Sequence, residues 1–178
     1  MDFNMYVPTK ILFGAGTLNE LGKQQLPGKK AVIIISNGKS TRANGYLSRT
    51  EEQLAQAGVA TSVFDKIQPN PLKETVMEGA AFVKAQDADF IVALGGGSVI
   101  DSAKAIAVMA ANPGDLWDYI ASGTGKGQPI KNKPLPIVAI STTAAFRAEP
   151  RVLGYSPSLI AVSSFSAMST QALTMGRI

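Results

Sequence analysis

Asp89-Phe-Ile-Val-Ala-Leu-Gly-Gly-Gly-Ser-Val-Ile-Asp-Ser-Ala-Lys104 is the stretch that decides the fold. It reads as a buried strand, a three-glycine turn and the first turns of a helix. Phe90–Leu94 is short and continuously apolar, as a strand covered on both faces should be. Gly95, Gly96 and Gly97 carry no Cβ, which lets the backbone bend sharply and lets a ligand approach its N–H groups. Ser98 and Asp101 open an Ala-rich helix, and a helix start favours an anion such as a pyrophosphate. The plainer reading is a tight strand-to-helix turn without a ligand.

Working outward, further strands are expected at Ala31–Ile35, Val59–Phe64 and Leu135–Ile140, with two short extended pieces around Pro8 forming an N-terminal β-hairpin. Helices are expected from Thr17 to about Gln25, from Ser40 to about Ala57 with a possible break at Asn44-Gly45, and from Pro71 to about Gln86. Thr17-Leu-Asn-Glu20 has the form of a capping box. Asp115–Ile120 reads as one more turn, followed by the Gly-rich, Lys-containing loop Ser122–Gln128. Strand and helix alternate, so the fold class is α/β, a Rossmann-like parallel sheet flanked by helices. In such sheets ligands sit beyond the carboxyl ends of the strands, at a switch in strand order. Four loops are candidates for that place: Ser36–Ser40, Gln68–Pro71, Gly95–Ser98 and Ser141–Thr143.

Composition narrows the chemistry. The 178 residues are 46% hydrophobic and 17% charged, which suits a globular chain with a substantial core. No apolar run reaches the roughly 18 residues needed to span a bilayer, and no secretory signal is visible. Cysteine is absent, which fits a cytoplasmic protein. The net charge of +4 is modest and the lysines are scattered, so a nucleic-acid footprint is not expected. Histidine is also absent, which removes His-based metal sites and triads.

The chain resembles the iron-dependent (group III) alcohol dehydrogenases from about Phe3 to Ala144. The likeness rests on Pro8-Thr-Lys-Ile-Leu-Phe-Gly-Ala-Gly16, Pro69-Asn-Pro71, Gly95-Gly-Gly-Ser-Val-Ile-Asp-Ser-Ala-Lys104 and Pro136-Ile-Val-Ala-Ile-Ser-Thr-Thr-Ala144. Glycerol dehydrogenases and dehydroquinate synthases share the fold but match the other blocks less well. The resemblance implies a dinucleotide-binding domain over residues 1–144 for NADP or NAD. By that analogy Gly96, Gly97 and Ser98 hold the pyrophosphate, Gly95 is also cofactor-binding, and Asp101 sits at the start of the same helix. Thr142 and Thr143 lie along the adenosine and diphosphate, and Asn70 approaches the adenine-side ribose. The loop Ser36-Asn37-Gly38-Lys39-Ser40 follows the second main strand, where an acid would accept from the ribose 2′-hydroxyl. It has no acid, and Lys39 and Arg42 offer positive charge, which leans toward NADP; the alternative is two solvated helix-start cations.

The family's pattern then stops. A Gly-Thr-Gly-Ser-Glu segment and an all-helical, His-rich metal domain are expected, but the chain reads Ala145-Phe-Arg-Ala-Glu-Pro150 and continues to Ile178. All 12 lysines precede residue 145, and three of the five arginines follow it. Residues 145–178 are therefore expected to be an atypical tail, either an aberrant terminus of a truncated parent or a divergent strand and short helix built on Val152–Leu153 and Leu159–Val162. No metal is expected in the chain. The expected function is that of an NAD(P)-dependent alcohol dehydrogenase or aldehyde–ketone reductase present as its cofactor domain, with metal-dependent turnover lost. A small alcohol or carbonyl would be the substrate, and a homodimer the assembly. The alternatives are a cofactor-binding or dimerising module without activity, and a competent mini-dehydrogenase whose proton donor is Tyr119, Lys126, Ser141 or Thr142. No catalytic residue is singled out.

Overall fold

The computed structural model describes residues 9–142 and the backbone of residues 158–163. The elements are β1 (Thr9–Gly14), a 3-10 turn (Thr17–Lys23), β2 (Lys30–Ser36), α1 (Ser40–Ala43), α2 (Tyr46–Gln56) and β3 (Ala60–Ile67). They continue with α3 (Lys73–Ala85), β4 (Phe90–Gly95), α4 (Gly97–Ala111), α5 (Leu116–Tyr119), β5 (Ile137–Ser141) and β6 (Ser158–Ser163). One six-stranded sheet runs β1-β6-β5-β4-β2-β3. Its β3, β2, β4 and β5 are parallel, whereas β6 lies antiparallel between β5 and β1. This is the Rossmann-like arrangement expected from the alternation of strand and helix.

The strand period of two divides the apolar residues between two cores. Val32, Ile34, Ile91 and Ala93 face one side, where α3 and α4 cover them with Val76, Ala80, Val83, Ala103 and Ile106. Ile33, Ile35, Val92 and Leu94 face the other, under Leu47 and Leu54 of α2 and Leu18 and Leu21 of the 3-10 turn. Every residue of β4 is buried, which explains why its sequence shows no polar alternation. Helices α3 and α4 approach closely at Gly79, where a Cβ would stand 2.5 Å from Ile106 Cδ1.

Two local expectations change. Thr17–Lys23 is 3-10 rather than α-helical, and its N-cap is Gly16 at φ 77° with no side-chain cap. Thr17 Oγ1 donates to the Gly14 carbonyl at 3.1 Å, and Glu20 pairs with Lys23 at 3.0 Å. The Ser/Thr-x-x-Glu pattern therefore does not put Thr17 at the N-cap. A reciprocal box exists instead at α5, where Asp115 Oδ1 accepts from the Trp117 N–H and Asp118 Oδ2 from the Asp115 N–H, each at 2.9 Å. The break at Asn44-Gly45 is present: Gly45 takes φ 69° and separates α1 from α2.

At the far edge, the first half of the expected hairpin lies outside the described residues, and β1 pairs with β6. Of the two apolar pieces in the tail, Leu159–Val162 falls within β6, and Val152–Leu153 lies outside the described residues.

Candidate functional site

The strand order reverses between β2 and β4, since β2 leads outward to β3 while β4 leads to β5 on the other side. A cleft of about 290 Å³ opens at that point, beyond the carboxyl ends of the four parallel strands. Its lining comes from Ser36, Ser40–Thr41, Ile67–Pro69, Gly95–Val99 and Thr142. Backbone hydrogen bonds knit the strand ends together around it. Asn37 N–H donates to the Ile67 carbonyl at 2.8 Å, and Thr142 N–H to the Gly95 carbonyl at 3.1 Å.

The glycine run works by space and not by handedness. None of Gly95, Gly96 and Gly97 is among the glycines with positive φ, so the sharp bend expected of them is not the reason for glycine. A Cβ on Gly95 would lie 2.7 Å from Val99 Cγ2, so the turn closes onto its own helix only without a side chain. A Cβ on Gly97 would meet nothing within 4 Å, which leaves its backbone open to the cleft. Helix α4 starts from Gly96 in an extended conformation and has no side-chain cap on its first turn. Its N–H groups and positive dipole end thus face the cleft without an internal acceptor from a capping side chain.

A second cavity of about 300 Å³ adjoins the first, and Ser36 lines both. Asn37, Gly38, Lys39 and Arg42 line it from the β2–α1 side, and Asp65 lines it from β3. Arg42 Nη2 lies 2.8 Å from Asp65 Oδ2. Lys39 has no ion-pair partner among the described residues.

The structure therefore brings Gly95, Gly96, Gly97, Ser98, Ser40 and Thr142 into one cleft, with Asn37, Gly38 and Lys39 next door. Asn70 and Asp101 line neither cavity: Asn70 adopts φ 53° beyond Pro69, and Asp101 lies one turn into α4, paired with Lys104 at 2.9 Å. Thr143 lies outside the described residues. Gln68 opens one of the four candidate loops and lines the cleft, whereas Thr41 and Asp65 were not singled out as binding residues in the sequence. Thr41 flanks the named residue Ser40, whereas Asp65 lies near the end of β3 and carries no local signal of a ligand.

Of the donors considered for a mini-dehydrogenase, Thr142 lines the cleft, whereas Tyr119 and Lys126 are engaged elsewhere. The Tyr119 hydroxyl donates to the Pro113 carbonyl at 2.5 Å. Lys126 Nζ lies 2.6 Å from Asp118 Oδ1. That hydrogen bond raises the Lys126 pKa above its ordinary value and lowers that of Asp118, which also accepts from the Asp115 backbone. Asp89, at the opposite end of β4, accepts from the Lys29 and Lys30 backbones at 2.7 and 2.9 Å, and these bonds hold its carboxyl below the usual range.

The model of the iron-containing alcohol dehydrogenase family matches residues 8–150. A probable NADH-dependent butanol dehydrogenase 1 of Bacillus subtilis is 38% identical over 148 residues, which is 83% of this chain and 37% of that protein. A 1,3-propanediol dehydrogenase of Klebsiella pneumoniae is 34% identical over 149 residues, again 83% of this chain and 37% of the relative. The crystal structure of NADH-dependent butanol dehydrogenase A from Thermotoga maritima superposes with a TM-score of 0.70 at 32% identity, covering 81% of this chain and 35% of that one. The chain thus spans little more than a third of the length of these relatives.

Proposed function

Because this chain belongs to the iron-containing alcohol dehydrogenase family, we propose that it is the nicotinamide-dinucleotide-binding part of an enzyme interconverting alcohols with aldehydes or ketones. The observation that carries this reading is the cleft at the strand-order switch, open at Gly97 and floored by the uncapped start of α4. A pyrophosphate fits that chemistry, since a negatively charged group gains from the free N–H groups and the helix dipole. Gly95–Ser98 would hold the pyrophosphate, with Thr142 beside it. Asn37, Gly38, Lys39 and Ser40 would line the adenine-side ribose, with Asn70 beyond Pro69 and Asp101 behind the first turn of α4. Bound there, the nicotinamide would supply the hydride, and the chain's own residues would hold, orient and screen it.

The metal in the family's name finds no fit in this chain's donors. Histidine is absent, and the described residues contain no group of three or more Asp, Glu, His or Cys placed to hold an ion. No step through a metal is derived.

The relatives named above are described as a probable NADH-dependent butanol dehydrogenase and a 1,3-propanediol dehydrogenase, which supports a small alcohol or carbonyl as the substrate class. Among the described residues no helix is long and apolar enough to cross a membrane, and a cytoplasmic location is proposed with the reading. A homodimer is proposed through β1, an edge strand that exposes Ile11 and Phe13. The deciding experiment is calorimetric titration of the chain with NADH and NADPH, with and without a divalent metal. Saturable binding of at least one cofactor is expected in both conditions. No heat of binding from either, up to millimolar concentrations, overturns the reading.

A further inference from the structure

The loop after β2 lacks the acid that would accept from a ribose 2′-hydroxyl, but the fold brings one in from the neighbouring strand. In the β2–β3 register Ile34 faces Phe64 and Ser36 faces Ile67, so Asp65 and Lys66 together oppose the single residue Ile35. This bulge breaks the alternation: Asp65 and Lys66 are both exposed between buried Phe64 and Ile67. Lys66 turns to Glu78 on α3, and Asp65 turns to Arg42 on α1. Asp65 thereby lines the cavity that shares Ser36 with the pyrophosphate cleft.

We propose that Asp65 is the residue that sets this site's choice between NADH and NADPH. The inference rests on the reading that the cleft holds a nicotinamide dinucleotide. Arg42 and Lys39 bring two positive charges to the cavity, and Asp65 cancels one by pairing with Arg42. Its carboxylate uses Oδ2 on Arg42, and among the described residues Oδ1 takes no hydrogen bond. That oxygen can accept from a ribose hydroxyl, as an acid after the second strand does in other dinucleotide folds. A 2′-phosphate carries about two negative charges, so it meets repulsion from Asp65 and attraction from Lys39 alone. The Arg42–Asp65 pair is half exposed on both sides, at 51% and 50%, so solvent weakens it and Arg42 is available once the carboxylate is neutralised.

The test is fluorescence titration of the full chain with NADH and NADPH, comparing wild type, Asp65→Asn, Asp65→Asn combined with Arg42→Gln, and Lys39→Ala. Wild type is expected to bind NADH more tightly. Asp65→Asn should shift the ratio of dissociation constants toward NADPH by about tenfold, the scale of one gained charge-assisted contact. Adding Arg42→Gln should reverse most of that shift. Lys39→Ala should weaken NADPH and spare NADH, a result that does not depend on the Asp65 variants folding. Both cofactors bound by Asp65→Asn with the wild-type ratio overturns the proposal alone. A full shift toward NADPH that persists when Arg42→Gln is added to Asp65→Asn also overturns it. Failure of every variant to bind either cofactor removes the dinucleotide reading and this inference with it.

Discussion

Two glycine-rich segments, Gly95–Gly97 and Gly123–Gly127, look alike in sequence and use glycine for opposite ends. In the first, no glycine adopts a left-handed conformation, and Gly97 faces open space. In the second, Gly123 and Gly127 take φ of 62° and 59°, and a Cβ on Gly125 would fall on the Ile120 carbonyl oxygen. The second segment also ties up its own polar groups. Gly127 N–H donates to Ile120, Lys126 N–H donates to Trp117, and the Lys126 ammonium pairs with Asp118. One segment folds so that its backbone stays available, while the other folds to consume it. Glycine content and a nearby lysine do not distinguish an anion site from a self-closed loop; the direction in which the space opens does.

The largest effect that would break this contrast is on binding. Gly97→Leu fills the open side of the cleft and should weaken NADH by about a hundredfold, equivalent to about 3 kcal/mol, with little change in melting temperature. Unchanged affinity in a fluorescence titration would show that the cleft is not the cofactor site. Gly125→Ala should do the reverse. Overpacking against Ile120 should cost about 2 kcal/mol, or a melting temperature lower by about 4–8 °C, without altering NADH affinity once folded. Calorimetric melting of that variant decides it.

A smaller pair of substitutions isolates backbone conformation from space, because a Cβ meets nothing within 4 Å at either Gly97 or Gly123. Gly123→Ala should destabilise by about 1 kcal/mol because its φ is left-handed. Gly97→Ala should be neutral or stabilising by about 0.5 kcal/mol. Equal effects in chemical denaturation would mean that handedness does not separate the two segments. The smallest effect concerns pH. Hydrogen bonds from Trp117 N–H and Lys73 hold Asp115 below its ordinary 3.8, and those from Lys126 and Asp115 N–H do the same for Asp118. A depressed carboxyl pKa contributes stability that is present above 3.8 and is lost as pH falls through the lower folded value. Trp117, the chain's single tryptophan, donates to Thr124 Oγ1 at 2.7 Å and so reports on this loop. Its fluorescence should change below pH 3.8, and Asp118→Asn should flatten that change.

Much of the architecture was legible because it is local. The apolar runs at Ala31–Ile35, Phe90–Leu94 and Leu135–Ile140 lie within or overlap β2, β4 and β5, and Asn44-Gly45 marks the break between α1 and α2. The glycine run marked the cleft, though for a reason other than the one glycine usually supplies. What was not legible depends on local geometry that overrides a familiar pattern, or on partners distant in sequence. The pattern Thr17-x-x-Glu20 suggests an N-cap at Thr17 whereas the N-cap is Gly16, and Asp115-x-x-Asp118 makes a capping box without the usual Ser/Thr and Glu. Asp65 is brought to the site by a register shift against β2, which no property of β3 alone encodes. A strand at Leu159–Val162 was one of the expectations, but its place between β5 and β1 was hidden, because pairing between strands is not written in either strand.

The position of β6 bears on how the molecule assembles. Thr9 pairs with Ser163, and Ile137 pairs with that same residue from the other side. β1 therefore has no place in the sheet until β6, far along the chain, has been made. The parallel strands β2 to β5 can condense from neighbouring segments with short loop closures, but docking β1 must wait for a strand distant in sequence. Until β6 is in place, β1 and the outer edge of β5 both lack the strand that joins them. That interval, not the finished sheet, is when the chain is most exposed to pairing with the wrong partner.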